Sequence, residues 1–178
     1  MPERLETDIA LLNVVAGRPA AEPPPGLAHF APPRKAARGR ERDTLFLCLG
    51  LRARAPVDPA RHTDLLQLAA ATFFGTPGSV TAAARQALLA VNQRLLEANL
   101  REGAPVQGGL ICAALRGNDF YAVTAGPGVL VVTHPSAVER FPLTPGRPLG
   151  LSDVLDVQYF HTQFNAGDYL ALSQTARW

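Results

Sequence analysis

The sequence predicts an α+β fold in which helices pack on one face of an antiparallel sheet. Three observations carry this. LFLCLGL (residues 45–51) is a continuous apolar run of strand length. Two segments between residues 58 and 103 place apolar residues at helical spacing, and after Gly103 the pattern changes to short segments separated by glycine turns. Strands segregated in this way from helices are the mark of α+β architecture. The composition permits it: of 178 residues, 47% are hydrophobic and 18% charged, enough apolar side chain for the core of one domain.

Residues 1–44 form an irregular, proline-rich and basic N-terminal segment. TDIALLNVVAG (residues 7–17) can form a short edge strand. Pro19, Pro23, Pro24, Pro25, Pro32 and Pro33 then exclude helix and leave only edge strand or loop. RKAARGRERD (residues 34–43) brings Arg34, Lys35, Arg38, Arg40 and Arg42 together, but Glu41 and Asp43 interleave, which points to a solvated loop rather than a patch for an acidic partner. Residues 45–178 form the second unit. An apolar run such as 45–51 suits a strand covered on both faces. Asp58 or Pro59 opens a first helix that runs through Leu65, Leu66 and Phe73 to Gly75. Thr76-Pro77-Gly78-Ser79 stops it and restarts a second, with Ser79 as N-cap and Gly103 as terminator. The second helix carries a wide apolar stripe through Val80, Ala84, Leu88, Val91 and Leu95. Residues 108–134 read as three strands joined at Gly117-Asn118-Asp119 and Gly126-Pro127-Gly128. AVERFPL, VLDVQYFHTQFN (154–165) and YLALS (169–173) add further strands, the last after an Asn165–Asp168 turn.

Several function classes are disfavoured. Lys+Arg 17 against Asp+Glu 15 leaves a net charge of +2, with no electrostatic footprint for nucleic acid. No apolar run approaches the ~20 residues of a membrane helix, and the N-terminus MPERLETD lacks the apolar region of a secretory signal. Cys48 and Cys112 sit inside apolar runs and read as buried thiols of a reducing, cytoplasmic compartment. His29, His62, His134 and His161 share no metal-ligand spacing and read as surface or packed residues. Asp153 and Asp156 read as an exposed turn, because a hard cation needs oxygens converging from several segments.

The order of elements, together with ALLAVNQRLLEAN, Gly108-Gly109, GLICAALRGNDFYAVTAGPGVLVV, TPGRPLG and FNAGDYLALSQ, resembles the PP2C-type (PPM) metal-dependent protein phosphatases over residues 45–178. Ala166-Gly167-Asp168-Tyr169-Leu170-Ala171-Leu172-Ser173 is the most specific of these matches; the others gain weight from their order. The resemblance implies an α-β-β-α sandwich of antiparallel sheets, with a long helix pair on one face and the last part of the domain missing. It also implies a centre of two Mg²⁺ or Mn²⁺ ions held by aspartates between the tops of the sheets, activating water against phosphoserine or phosphothreonine. Carried over position by position, the metal-binding motifs fail. Gly50 matches the family glycine, but Leu49 stands in place of its metal-binding aspartate. Gly126 matches, but Pro127, Gly128 and Val129 replace Asp-Ser-Arg. Ser173 matches, but Gln174 replaces an aspartate and Thr175 a glycine.

The function expected from this reading is a PP2C-like domain without its metal-binding aspartates: a non-catalytic regulatory or protein-interaction module with no resident cofactor and a protein or phosphoprotein partner. The alternative is an active metal-dependent phosphatase with substitute ligands among Asp153, Asp156 and Asp168. A third reading, an unrelated α+β sandwich, predicts a different topology from two packed sheets with the helix pair covering one. LALSQTARW stops where a strand should hand over to the next element, so Trp178 is expected not to be the natural end.

Overall fold

The computed structural model describes residues 5–15, 17–103 and 105–174. In chain order the elements are β1 (Val14–Val15), β2 (Arg18–Pro19), β3 (Leu27–Phe30), β4 (Asp43–Arg52), α1 (Pro59–Gly75), α2 (Val80–Glu102), β5 (Gln107–Arg116), β6 (Asp119–Ala125), β7 (Val129–His134), β8 (Ala137–Phe141), β9 (Gln158–Gln163) and β10 (Tyr169–Ser173). A five-stranded antiparallel sheet has the order β3-β4-β5-β6-β9, and a three-stranded one the order β10-β7-β8.

The central strands show why the sequence runs are apolar throughout. Along β4, Leu45, Leu47 and Leu49 pack with α1 and α2, while Phe46 and Cys48 face the smaller sheet. β5 alternates in the same way, with Leu110, Cys112 and Ala114 on the helix side and Ile111, Ala113 and Leu115 between the sheets. Successive side chains point to opposite faces, so a strand buried on both must be apolar at every position. Both thiols are enclosed, and burial pushes Cys48 up to about 12 and raises Cys112 as well. The helices begin and end where the sequence places them. Asp58 accepts from Ala60 N, Ser79 accepts from Ala82 N, and Gly103 closes α2 in the left-handed conformation. Three layers result, helix pair on large sheet on small sheet, and these are the two packed sheets that the unrelated-sandwich reading lacked.

Three expectations need correction. Residues 7–17 do not form one strand: among the described residues of that segment only Val14–Val15 is strand, paired with Arg18–Pro19. The edge strand of the large sheet is β3, which follows the prolines and pairs with β4 from Leu27↔Cys48 to Phe30↔Leu45. The basic segment is not wholly solvated, since Arg40 and Asp43 are both 0% exposed. Asp43 opens β4 opposite Arg116 of β5 and receives its guanidinium at 2.6 Å, while Arg40 reaches Asp43 at 2.7 Å and lies over the Phe73 ring. Finally, the strand expected at 154–165 is confined to Gln158–Gln163. Residues before it are held as a loop by two asparagines of α2. Asn92 bonds Gly150 N and Ser152 O, and Asn99 bonds Gly150 O and both backbone groups of Val106.

Candidate functional site

The positions that the family resemblance assigns to metal chemistry come together at one end of the sandwich. Leu49 and Gly50 lie near the end of β4, and Gly50 is paired with Gly109 of β5. Gln174 follows β10 directly and crosses from the small sheet to the large one. Its amide nitrogen donates to Leu49 O at 3.1 Å and also to Pro25 O. Pro127, in the β6–β7 turn, packs by its backbone on Gly109.

The packing here is backbone against backbone. A Cβ on Gly109 would lie 1.8 Å from Pro127 O, and one on Gly126 would lie 2.4 Å from Gly108 O. At Gly50 a Cβ would stand 2.9 Å from Gln174 O and 3.0 Å from Gln174 Cβ. The glycines let the turn and the end of β10 close onto the large sheet. The Leu49 side chain is 0% exposed and belongs to the helix-side core, so it turns away from any solvent-filled centre. Gln174 is half-buried, and its nitrogen is committed to carbonyl oxygens.

His62, which the sequence reads as a surface or packed residue, lies beside this cluster. His62 of α1 is buried, and its Cδ2 lies 3.0 Å from where a Gly26 Cβ would be. The same point is 2.9 Å from Gln174 Nε2. Its Nδ1 meets no hydrogen-bond geometry among the described residues. Burial lowers its pKa, with the Asp58 backbone pulling weakly the other way, so the neutral imidazole is the favoured form. No motif announces it: Gly26 is 36 residues upstream and Gln174 is 112 downstream.

The alternative carboxylates are placed elsewhere and are engaged. Asp156 receives Arg147 through Nε and Nη2, at 2.9 and 3.0 Å, and these bonds hold its carboxyl below the usual range. Asp153 is in the loop held by α2, 3.4 Å from Ser152 Oγ. Asp168 accepts from Asn165 N at 2.7 Å and from His134 Nδ1 at 2.8 Å; the first of these is the larger cause of its lowered pKa. Among the described residues no group of three or more His, Cys, Asp or Glu is placed to hold a metal ion. Of the remaining histidines, His161 lies 3.2 Å from Asp119, and Glu139 lies 3.6 Å from the far side of His134. Thr175 and Trp178 fall outside the described residues.

Several solved structures share this architecture. One is described as PppA, a key regulatory component of T6SS in Pseudomonas aeruginosa: TM-score 0.58, 20% identity, 82% of this chain and 74% of that one. A second is the catalytic domain of the serine threonine protein phosphatase PstP in complex with two manganese ions: TM-score 0.60, 15% identity, 82% and 75% covered. A third is the serine/threonine phosphatase Stp1 from Staphylococcus aureus: TM-score 0.59, 9% identity, 90% and 76% covered. A bacterial serine phosphatase variant matches at TM-score 0.63 with 66% of its chain covered, so the present chain spans two thirds to three quarters of these proteins. No protein-family model matches the sequence, and no curated protein matches it. The fold is PP2C-like, as the element order and short motifs predict. At these identities the likeness is one of fold.

Proposed function

We propose that the chain is a PP2C-fold module that does not use a dinuclear metal centre and acts by binding, as a regulatory or protein-interaction domain. One observation carries this reading: where the resemblance calls for two carboxylates, there is a leucine turned into the core and an amide whose nitrogen donates to Pro25 O and Leu49 O. Two hard cations need several charged oxygens, and these side chains do not fit them. A carboxylate at position 174 would face two carbonyl oxygens with no donor to offer, whereas the amide fastens the small sheet to the large one. The fold can persist without the chemistry because its core patterning and its site are separate sets of residues. A protein or phosphoprotein is the class of partner, in keeping with the near-neutral charge and with the regulatory role described for PppA. The two buried free thiols favour a reducing compartment such as the cytoplasm.

The test is a calorimetric titration of the chain with Mn²⁺, with hydrolysis of a phosphothreonine peptide followed in the same sample. Neither micromolar binding nor metal-dependent turnover is expected. Observing both would overturn the reading and establish the alternative, an active phosphatase with unconventional ligands. Gln174→Asp sharpens the result. It is expected to lower the melting temperature in chelator and, if the position keeps any metal geometry, to regain part of the loss with Mn²⁺.

A further inference from the structure

Residues 33–43, which lead into β4, fold as three consecutive turns. Ala36 N donates to Pro33 O at 3.0 Å, Arg40 N to Ala37 O at 2.9 Å and Asp43 N to Arg40 O at 3.2 Å. The turn centres are Arg34-Lys35, Arg38-Gly39 and Glu41-Arg42, so each turn carries a cation at its tip. Arg34, Lys35, Arg38 and Arg42 are all exposed, and none makes an ion pair with an acid among the described residues. The two acids that alternate with them in the sequence are withdrawn. Asp43 is enclosed between Arg40 and Arg116, and Glu41 bends back to accept from Gly39 N at 2.8 Å. Folding sorts charges that the sequence mixes, and the surface left outside is mostly of one sign.

The neighbouring elements do not neutralise it. α1 meets the segment at Phe74, whose carbonyl accepts from Ala37 N at 2.7 Å, and its one acid, Asp64, is near the other end of the helix. α2 starts just beyond Gly78, which accepts from Arg40, and has no acid before Glu97. Asp119, across the β5–β6 hairpin from Arg116, lies 3.2 Å from His161. The turns are anchored from below, since Ala36 packs on the helix-side core and Arg40 is enclosed. A surface ordered in advance loses little freedom when a partner binds.

We propose that the face formed by residues 34–42 docks an extended acidic segment of a protein partner. Cations spread over three turn tips match several carboxylates along a chain, and such complementarity sets specificity and encounter rate. The segment holds no aromatic residue, so it offers no platform for the base stacking that single-stranded nucleic acids use. The inference rests on the binding role proposed above and gives its partner a chemistry. The face is at the opposite end of β4 from Leu49, apart from the metal positions.

Fluorescence anisotropy of a labelled deca-glutamate peptide, titrated in chelator with the full chain, tests this. Binding is expected, and it should weaken as added salt screens the charges. Arg34→Gln, Lys35→Gln, Arg38→Gln and Arg42→Gln together should weaken it about tenfold, as four modest exposed pairs would. Arg18→Gln, Arg52→Gln, Arg54→Gln and Arg94→Gln remove the same charge elsewhere and should change it by no more than about twofold. All these positions are exposed, so both variants should melt near the parent chain. No binding by the unmodified chain at low salt would overturn the proposal. So would equal losses in the two variants, which would make net charge the cause. Tighter binding of a labelled decathymidylate than of the peptide would also overturn it, because the face would then serve nucleic acid. The Mn²⁺ titration judges the metal-free reading separately: turnover there, with peptide binding here, would refute that reading and leave this face standing.

Discussion

The two ends of β4 handle polarity in opposite ways. At its start, Arg40, Asp43 and Arg116 form a charged cluster in which the first two are completely enclosed. At its far end, where Gln174 bonds Leu49 O, the closest approaches are between backbones. The cluster at the start is a closed brace. Asp43 receives both arginines, Arg40 also reaches Gly78 O, Arg116 also reaches Gly39 O, and the Arg40 guanidinium lies 5.2 Å from the Phe73 ring centroid. Burial lowers the Arg40 pKa, and Asp43 opposes that shift.

Breaking the brace gives the largest expected effect. Asp43→Asn removes the carboxylate that both guanidiniums bond and leaves Arg40 enclosed without that counter-charge. Breaking a buried pair from one side costs about 3–5 kcal/mol. Urea denaturation should show a loss of that order; a loss below about 1 kcal/mol would mean that water reaches Arg40. Next in size is Gly109→Ala at the other end. Its methyl would overlap Pro127 O, and backbone cannot swing aside as a side chain can. A cost of about 3 kcal/mol, at the upper end for overpacking, is expected from the same measurement. Near-equal losses would show that the uncharged end is held as firmly as the charged one.

The sequence carries the fold more fully than it carries either end. Periodicity locates α1, α2 and β4–β8, because strands buried on both faces must be apolar and helix caps need Asp58, Ser79 and Gly103. It does not locate β3, whose four residues follow a proline run and acquire strand form only by pairing with β4. It does not show that Arg40 and Asp43 are buried, because Arg116, which bonds Asp43, and Gly78, which accepts from Arg40, are 73 and 38 residues away from them. The substitutions at Leu49, Pro127 and Gln174 are legible as departures from a pattern. What the residues do instead, an amide stapling two sheets beside a buried histidine, depends on contacts 125 and 149 residues apart in the chain.

Gln174→Leu tests that staple with a smaller effect. The substitution keeps the approximate volume and removes the donor, so the carbonyls of Pro25 and Leu49 lose a partner in a half-buried setting. A loss of about 1–2 kcal/mol is expected, within the range for an unsatisfied polar group. No measurable change in the denaturation midpoint would show that solvent replaces the amide freely, and the two sheet ends would then be tied by backbone packing alone.

The smallest effect is a pH dependence that separates His62 from the rest of the molecule. Burial depresses its pKa, so the folded state holds the neutral imidazole and the unfolded state binds the proton more readily. The contribution is therefore complete above the unfolded value of about 6.5 and shrinks as pH falls below it, because protonation draws the chain toward the unfolded state. Asp168 acts in the same direction but lower on the scale: its depressed pKa favours folding above the ordinary carboxylate range and ceases to do so as pH falls through its folded value. The two windows are distinct. Melting temperatures of the parent chain and of His62→Phe, compared at pH 7.5, 6.5 and 5.5, should diverge on acidification, with the parent losing more stability. Parallel curves would mean that the imidazole takes up its proton as readily in the fold as in the unfolded chain, and burial beside Gln174 would then leave its titration unchanged.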